Sequence, residues 1–140
     1  MRWRGSQRGR PPFCPQCGAK TLTACPECNQ EIRGYYSGGS PLTHYTPPAF
    51  CHNCGKPLPW TSAATRACRE LVEASEGLSA EERRHLEKSI DDLVADTPGT
   101  NLAVMRVKRW LVKAGNVVGP SVKQIILDVG TEAAKKMMGL

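Results

Sequence analysis

From about residue 61 onward the apolar residues recur with helical period. Thr61 or Ser62 reads as the cap of a first helix, with Ala64, Ala67, Cys68, Leu71 and Val72 on one face and a stop at Gly77. Ser79-Ala80-Glu81-Glu82 is a capping box, in which the Ser79 hydroxyl and the Glu82 carboxylate each satisfy a backbone N–H that the first turn leaves without a partner. The helix it opens spaces Leu86, Ile90, Leu93 and Val94 along one stripe and ends at Pro98-Gly99. A third helix is expected from Asn101 to Ala114, broken by Gly115-Asn116. A fourth is expected from Pro120, with Val122, Ile125, Ile126, Val129, Ala133 and Met137 in line. Connections this short join antiparallel neighbours, so a small bundle of about four helices is predicted for residues 61–140.

The first 60 residues follow neither period. Prolines and glycines are concentrated there, apolar pieces are short, and Gly34 to Pro48 (GYYSGGSPLTHYTPP) is dense in turn-formers. The opening residues 1–12, rich in Arg and Gly, read as a flexible basic arm. The predicted order is therefore an arm (1–12), a small metal-stabilised β module (13–60) and an all-α bundle (61–140). Hydrophobic residues make up 40% of the 140 and aromatics 6%, too few for one large core across the whole chain. The longest uncharged run, Gly34 to Gly55, is polar and turn-rich, not an apolar span. No apolar stretch follows the basic start, so the expected compartment is the reducing cytoplasm.

Charge divides the chain again. Residues 1–60 carry a net +5, residues 61–98 a net −4 and residues 99–140 a net +5, giving +6 in all. Two basic ends around an acidic middle make an anionic partner worth weighing, beside the plainer reading that middle and end neutralise each other within one bundle.

Six of the seven cysteines form three pairs of one spacing: Cys14-Pro-Gln-Cys17, Cys25-Pro-Glu-Cys28 and Cys51-His-Asn-Cys54. Two intervening residues make a tight turn that aims both sulfurs at one ion, and Gly18 and Gly55 supply the positive φ such a turn commonly requires. Two such knuckles give four thiolates in a tetrahedron, which suits Zn²⁺ better than an iron–sulfur cluster, a disulfide framework or a redox pair. The first two pairs are seven residues apart and the last two 22, and spacing alone does not choose between these pairings. The preferred assignment is Cys25, Cys28, Cys51 and Cys54 as the complete zinc site, with Cys14 and Cys17 as half of a second. His44 and His52 are the nearest spare ligands and read as loop histidines, Glu27 and Glu31 read as solvated surface, and Cys68 reads as a small core residue.

These residues carry a resemblance. Phe13-Cys14-x-x-Cys17-Gly18-Ala19-Lys20, Cys25-Pro26-x-Cys28-Asn29, Ile32-Arg33-Gly34-Tyr35-Tyr36 and the run Tyr45 to Pro57, continued by Pro59-Trp60-Thr61, Ser89 to Leu93 and Asp96-Thr97-Pro98, resemble a bacterial family catalogued as a domain of unknown function, number 2321. The resemblance implies a zinc-ribbon head on a helical tail, with no assigned activity. It also leads one to expect a further Cys and a Gly-His pair upstream of the first knuckle, where this chain has its Arg-rich arm. Cys14 and Cys17 are then either free thiols or a half-site that takes metal only with a second copy.

No nucleophile–base order, phosphate-cradling glycine loop or paired acids stand out, so the expectation is a non-enzymatic, zinc-binding interaction or adaptor protein whose partner is another protein. The alternative is a nucleic-acid-binding ribbon in which Arg2, Arg4, Arg8, Arg10, Lys20 and Arg33 meet phosphates and an aromatic such as Trp3 or Tyr35 stacks on a base. A third reading lays the basic face of the third helix, Arg106, Arg109 and Lys113 with Lys108 beside it, on an anionic membrane surface. The solvated face of a bundle helix shows the same pattern and is preferred.

Overall fold

A computed structural model describes residues 11–33 and 47–140, and the chain divides into two compact units, 1–58 and 59–140. The basic arm with Arg2, Arg4, Arg8 and Arg10, and the stretch containing Tyr35, Tyr36 and His44, lie outside the described residues.

The first unit contains one device used three times. At Cys14, Cys25 and Cys51 the cysteine N–H donates to the carbonyl five residues on (Ala19, Gln30, Lys56), and its own carbonyl accepts from the N–H four residues on (Gly18, Asn29, Gly55). A third bond closes each turn from outside: Thr21 to Pro12, Ile32 to Thr23 and Leu58 to Ala49, with all nine bonds 2.8–2.9 Å. The residue four after each first cysteine is left-handed: Gly18 at φ 69°, Asn29 at 58° and Gly55 at 71°. Antiparallel pairing goes no further than single bridges, Phe13 with Lys20, Ala24 with Glu31 and Phe50 with Pro57. Among the described residues there is no strand, so the expected β ribbon is not shown. The local reason is that Pro11-Pro12, Pro47-Pro48, Pro57 and Pro59 flank two of the three bridges and bring no N–H to a longer ladder.

The second unit is helical: α1 (Pro59–Ala74), α2 (Ala80–Val94), α3 (Thr100–Val129) and α4 (Glu132–Met138). Helix α1 starts at Pro59, two residues before Thr61 and three before Ser62, the expected caps, because proline needs no N–H partner in a first turn. Its C-terminal carbonyls find a cap on the next helix: Arg83 of α2 donates to the carbonyls of Val72 (3.1 Å), Glu73 and Ser75 (2.8 Å). The capping box of α2 forms as read, with Glu82 N–H to Ser79 Oγ at 3.1 Å and Ser79 N–H to Glu82 Oε2 at 2.9 Å.

Helix α3 is broken at Gly115 (φ 73°, ψ −168°), where the sequence placed a break, and resumes as a second segment that carries Pro120. The stripe expected to run unbroken to Met137 is divided. Gly130 ends α3 in an extended conformation, and Thr131 caps α4 by accepting the Ala134 N–H at 3.1 Å. A Cβ at position 130 would lie 2.6 Å from the Ile126 carbonyl oxygen, so the chain leaves the helix where only glycine fits. The described residues therefore hold five helical segments rather than four. Ala134, and neither Ala133 nor Met137, turns inward.

The core gathers Cys68 and Val72 of α1, Leu86, Ile90 and Leu93 of α2, Val104, Val107, Trp110, Val122 and Ile126 of α3, and Ala134. Trp110 is buried among them and donates its indole N–H to Ser75 Oγ at 3.1 Å, while Ser75 donates to the Leu71 carbonyl at 2.7 Å. Thr131 N–H reaches the Leu93 carbonyl at 3.0 Å and ties the α3–α4 corner to the end of α2. Among the described residues no helix is long and apolar enough to cross a membrane.

Candidate metal centre

The second and third knuckles meet sulfur to sulfur. Cys25 Sγ lies 3.8 Å from Cys54 Sγ, Cys28 Sγ lies 3.6 Å from Cys51 Sγ, and all four sulfurs fall within 4.8 Å of one another. A tetrahedron of sulfurs about 2.3 Å from a central ion has edges of about 3.8 Å, so the observed spacing fits a four-thiolate metal cage. It does not fit a disulfide, whose sulfurs lie about 2.05 Å apart, and the seven cysteines are all free thiols. The cage pairs the knuckles 22 residues apart in sequence and leaves Cys14 and Cys17 outside.

The local fold prepares these sulfurs for negative charge. The Asn53 N–H points at Cys51 Sγ from 3.4 Å. The Gln30 backbone N–H, with help from Asn53, holds Cys28 down to about 6, so it is a thiolate at neutral pH. Cys54 goes the other way. The Lys56 backbone N–H favours its thiolate, but desolvation and the crowding of Cys51, Cys28 and Cys25 outweigh that bond and push the thiol up to about 11. Four thiolates this close repel one another, and a divalent cation offsets that repulsion as the thiols give up their protons on binding.

An ion pair spans the two knuckles: Lys56 Nζ lies 2.8 Å from Glu27 Oε2. Glu27, expected as solvated surface, thus has a partner, and the Lys56 ammonium holds its carboxyl below the usual range. Opposite charges on two turns are visible in the sequence, but only the pairing of those turns says that they face. Asn29 is the left-handed residue of the second knuckle, and the sequence signal for it is its place, four after the first cysteine, where Gly18 and Gly55 stand in the other two.

Of the remaining candidates, Cys14 is half-buried and Cys17 exposed, on a knuckle whose Cys17 and Gln16 backbone N–H groups face the Cys14 sulfur. His52 is exposed on the third knuckle and takes no part in the cage. Lys20 and Arg33 lie exposed on the first two turns. Cys68 is buried in the helical core, where desolvation pushes its thiol up to about 11. On α3, Lys113 pairs with Glu82 at 2.8 Å, and with Arg106, Arg109 and His85 it lines a shallow cavity of about 130 Å³.

A four-cysteine cluster able to hold a metal ion, followed by a helical C-terminal region, defines the class of small protein to which this chain belongs. Within that class the chain belongs to the bacterial family DUF2321, described as "Uncharacterized protein conserved in bacteria", which matches residues 5–138. No curated protein and no solved structure matches it.

Proposed function

We propose that this protein is a non-enzymatic zinc-binding interaction protein, in which one Zn²⁺ held by Cys25, Cys28, Cys51 and Cys54 organises a zinc-ribbon head and the partner is another protein. The observation that carries the metal reading is the sulfur spacing of 3.6 and 3.8 Å, the edge of a tetrahedral thiolate cage. Four thiolates favour zinc over the oxygen-loving divalent cations. They also fill every tetrahedral position, whereas a catalytic zinc keeps one open for water or substrate. The reading as a structural site rests on that saturation. A protein partner is supported by apolar side chains on α3 that the bundle does not use: Leu102 is 50% exposed, Met105 62% and Val112 86%.

Elemental analysis of protein purified under reducing conditions tests the metal. Zinc should be present at no less than one ion per chain, and the amount should fall by one in the double variant Cys28→Ser/Cys54→Ser. Absence of zinc, or iron in its place, overturns the reading. Surface substitutions away from special features change stability by no more than about 0.5 kcal/mol, so Met105→Ser and Val112→Ser should leave thermal unfolding nearly unchanged. Marked destabilisation would assign the stripe to the bundle and remove the support for a docking role.

A further inference from the structure

The first knuckle has the complete backbone of the other two and no mate among the described residues. Its three closing hydrogen bonds are the same in pattern and length, and Gly18 takes the same left-handed turn as Asn29 and Gly55. Where two knuckles pair, the first cysteine is sealed from solvent: Cys25 is 2% exposed and Cys51 5%. Cys14 occupies that position in the first knuckle and is only half-buried. The residue before it, Phe13, is 58% exposed, while Phe50 at the matching place in the paired site is half-buried. The chain's remaining thiol, Cys68, is enclosed in the helical core, and among the described residues Cys14 and Cys17 belong to no cluster of three metal-ligating groups.

The paired site also shows what mate would fit. Its close contacts run from the first cysteine of each knuckle to the second cysteine of the other, Cys25 to Cys54 and Cys51 to Cys28. Exchanging the two knuckles leaves that pattern unchanged. A pairing with this local two-fold character can be made from two copies of one knuckle, which is the self-complementary contact of a symmetric dimer.

We propose that Cys14 and Cys17 of two copies of this chain together form a second four-thiolate zinc site at a two-fold interface, which also covers Phe13 of each copy. The proposal rests on the metal reading of the intrachain site. Binding is coordination only: four thiols release their protons to solvent, four zinc–sulfur bonds form, and no electrons are transferred. In the intrachain site Glu27 and Lys56 add an ion pair across the knuckles, whereas the matching positions of the first knuckle are Gln16 and Ala19. The dimer contact lacks that clamp and depends on the ion.

The test uses the full chain in a phosphine reductant, with zinc determined by elemental analysis and mass by light scattering. The expected result is a dimer holding about one and a half zinc ions per chain, which a chelator returns to monomer. Cys14→Ser/Cys17→Ser should give a monomer with one zinc per chain and unchanged helical circular dichroism. Phe13→Asp keeps the four sulfurs and should weaken dimerisation by about tenfold or more. A monomer with one zinc overturns this proposal and leaves the intrachain site standing. A monomer with two zincs overturns it by completing the site within one chain, and a dimer that survives the cysteine substitutions overturns it as well. No zinc at all overturns both readings.

Discussion

Each knuckle asks one residue for a left-handed backbone, and two glycines and an asparagine supply it. Asn29 tolerates φ 58° because its short polar side chain is among the few that visit that region at small cost, so the turn closes without glycine. The cysteines divide as sharply by surroundings. Cys28 lies in a crowd of sulfurs and N–H donors, while Cys68 lies among hydrocarbon. Cys28→Ser or Cys54→Ser should therefore cost the head its metal and its fold, since a structural zinc contributes on the order of 10 kcal/mol to such a unit. Cys68→Ala should leave zinc content unchanged and cost about 1 kcal/mol of packing. Zinc analysis alongside thermal unfolding distinguishes the two. Loss of metal from Cys68→Ala with retention in Cys28→Ser would reverse the ligand assignment.

At the scale of elements, the corners are fixed by single residues. Gly130→Ala places a methyl 2.6 Å from a backbone oxygen, which cannot swing aside as a side chain can. The α3–α4 corner should shift at a cost of about 1–3 kcal/mol, read as a lower midpoint in denaturant with the same slope. Helix α2 carries a pH dependence at its first turn. The Lys113 ammonium, followed by the Ser79 backbone N–H, holds the Glu82 carboxyl at about 2 against an ordinary 4.5. The folded value is the lower one, so this stabilisation is complete above about pH 4.5 and drains away as pH falls toward 2. Glu82→Gln does not titrate. The difference in melting temperature between wild type and Glu82→Gln should shrink across that window, and a constant difference would mean that the carboxylate charge does not matter there.

For the whole molecule, the two units should respond differently to loss of metal. The first unit has few buried apolar side chains among its described residues, chiefly Leu58 with the sulfurs of Cys25 and Cys51, against a core in the second unit that draws on every helix. Burial at roughly 1.5–3 kcal/mol per large side chain does not offset the chain entropy of ordering the first unit. Chelation of the full chain should therefore open residues 11–33 and 47–58 to proteolysis while most helical circular dichroism remains. Loss of the helical circular dichroism together with the onset of proteolysis would show that the helices depend on the metal.

How far the sequence alone reached follows from the range of the forces involved. The capping box at Ser79–Glu82, the break at Gly115 and the stripe Leu86, Ile90, Leu93, Val94 were legible because each rests on neighbours within a few residues. The knuckle turns were legible for the same reason, as a Cys-x-x-Cys spacing folds through bonds that span no more than nine residues. Pairing was not. Which knuckles meet, that Glu27 faces Lys56, that Arg83 caps a helix it does not belong to, and that Trp110 turns inward toward Ser75 are contacts across 8 to 35 residues. No local pattern encodes such contacts, because they exist only after separate turns and helices have packed. Sequence determined the three identical turns and the run of helices; tertiary structure decided which sulfurs share a cage, because a tetrahedron is closed by distance in space rather than along the chain.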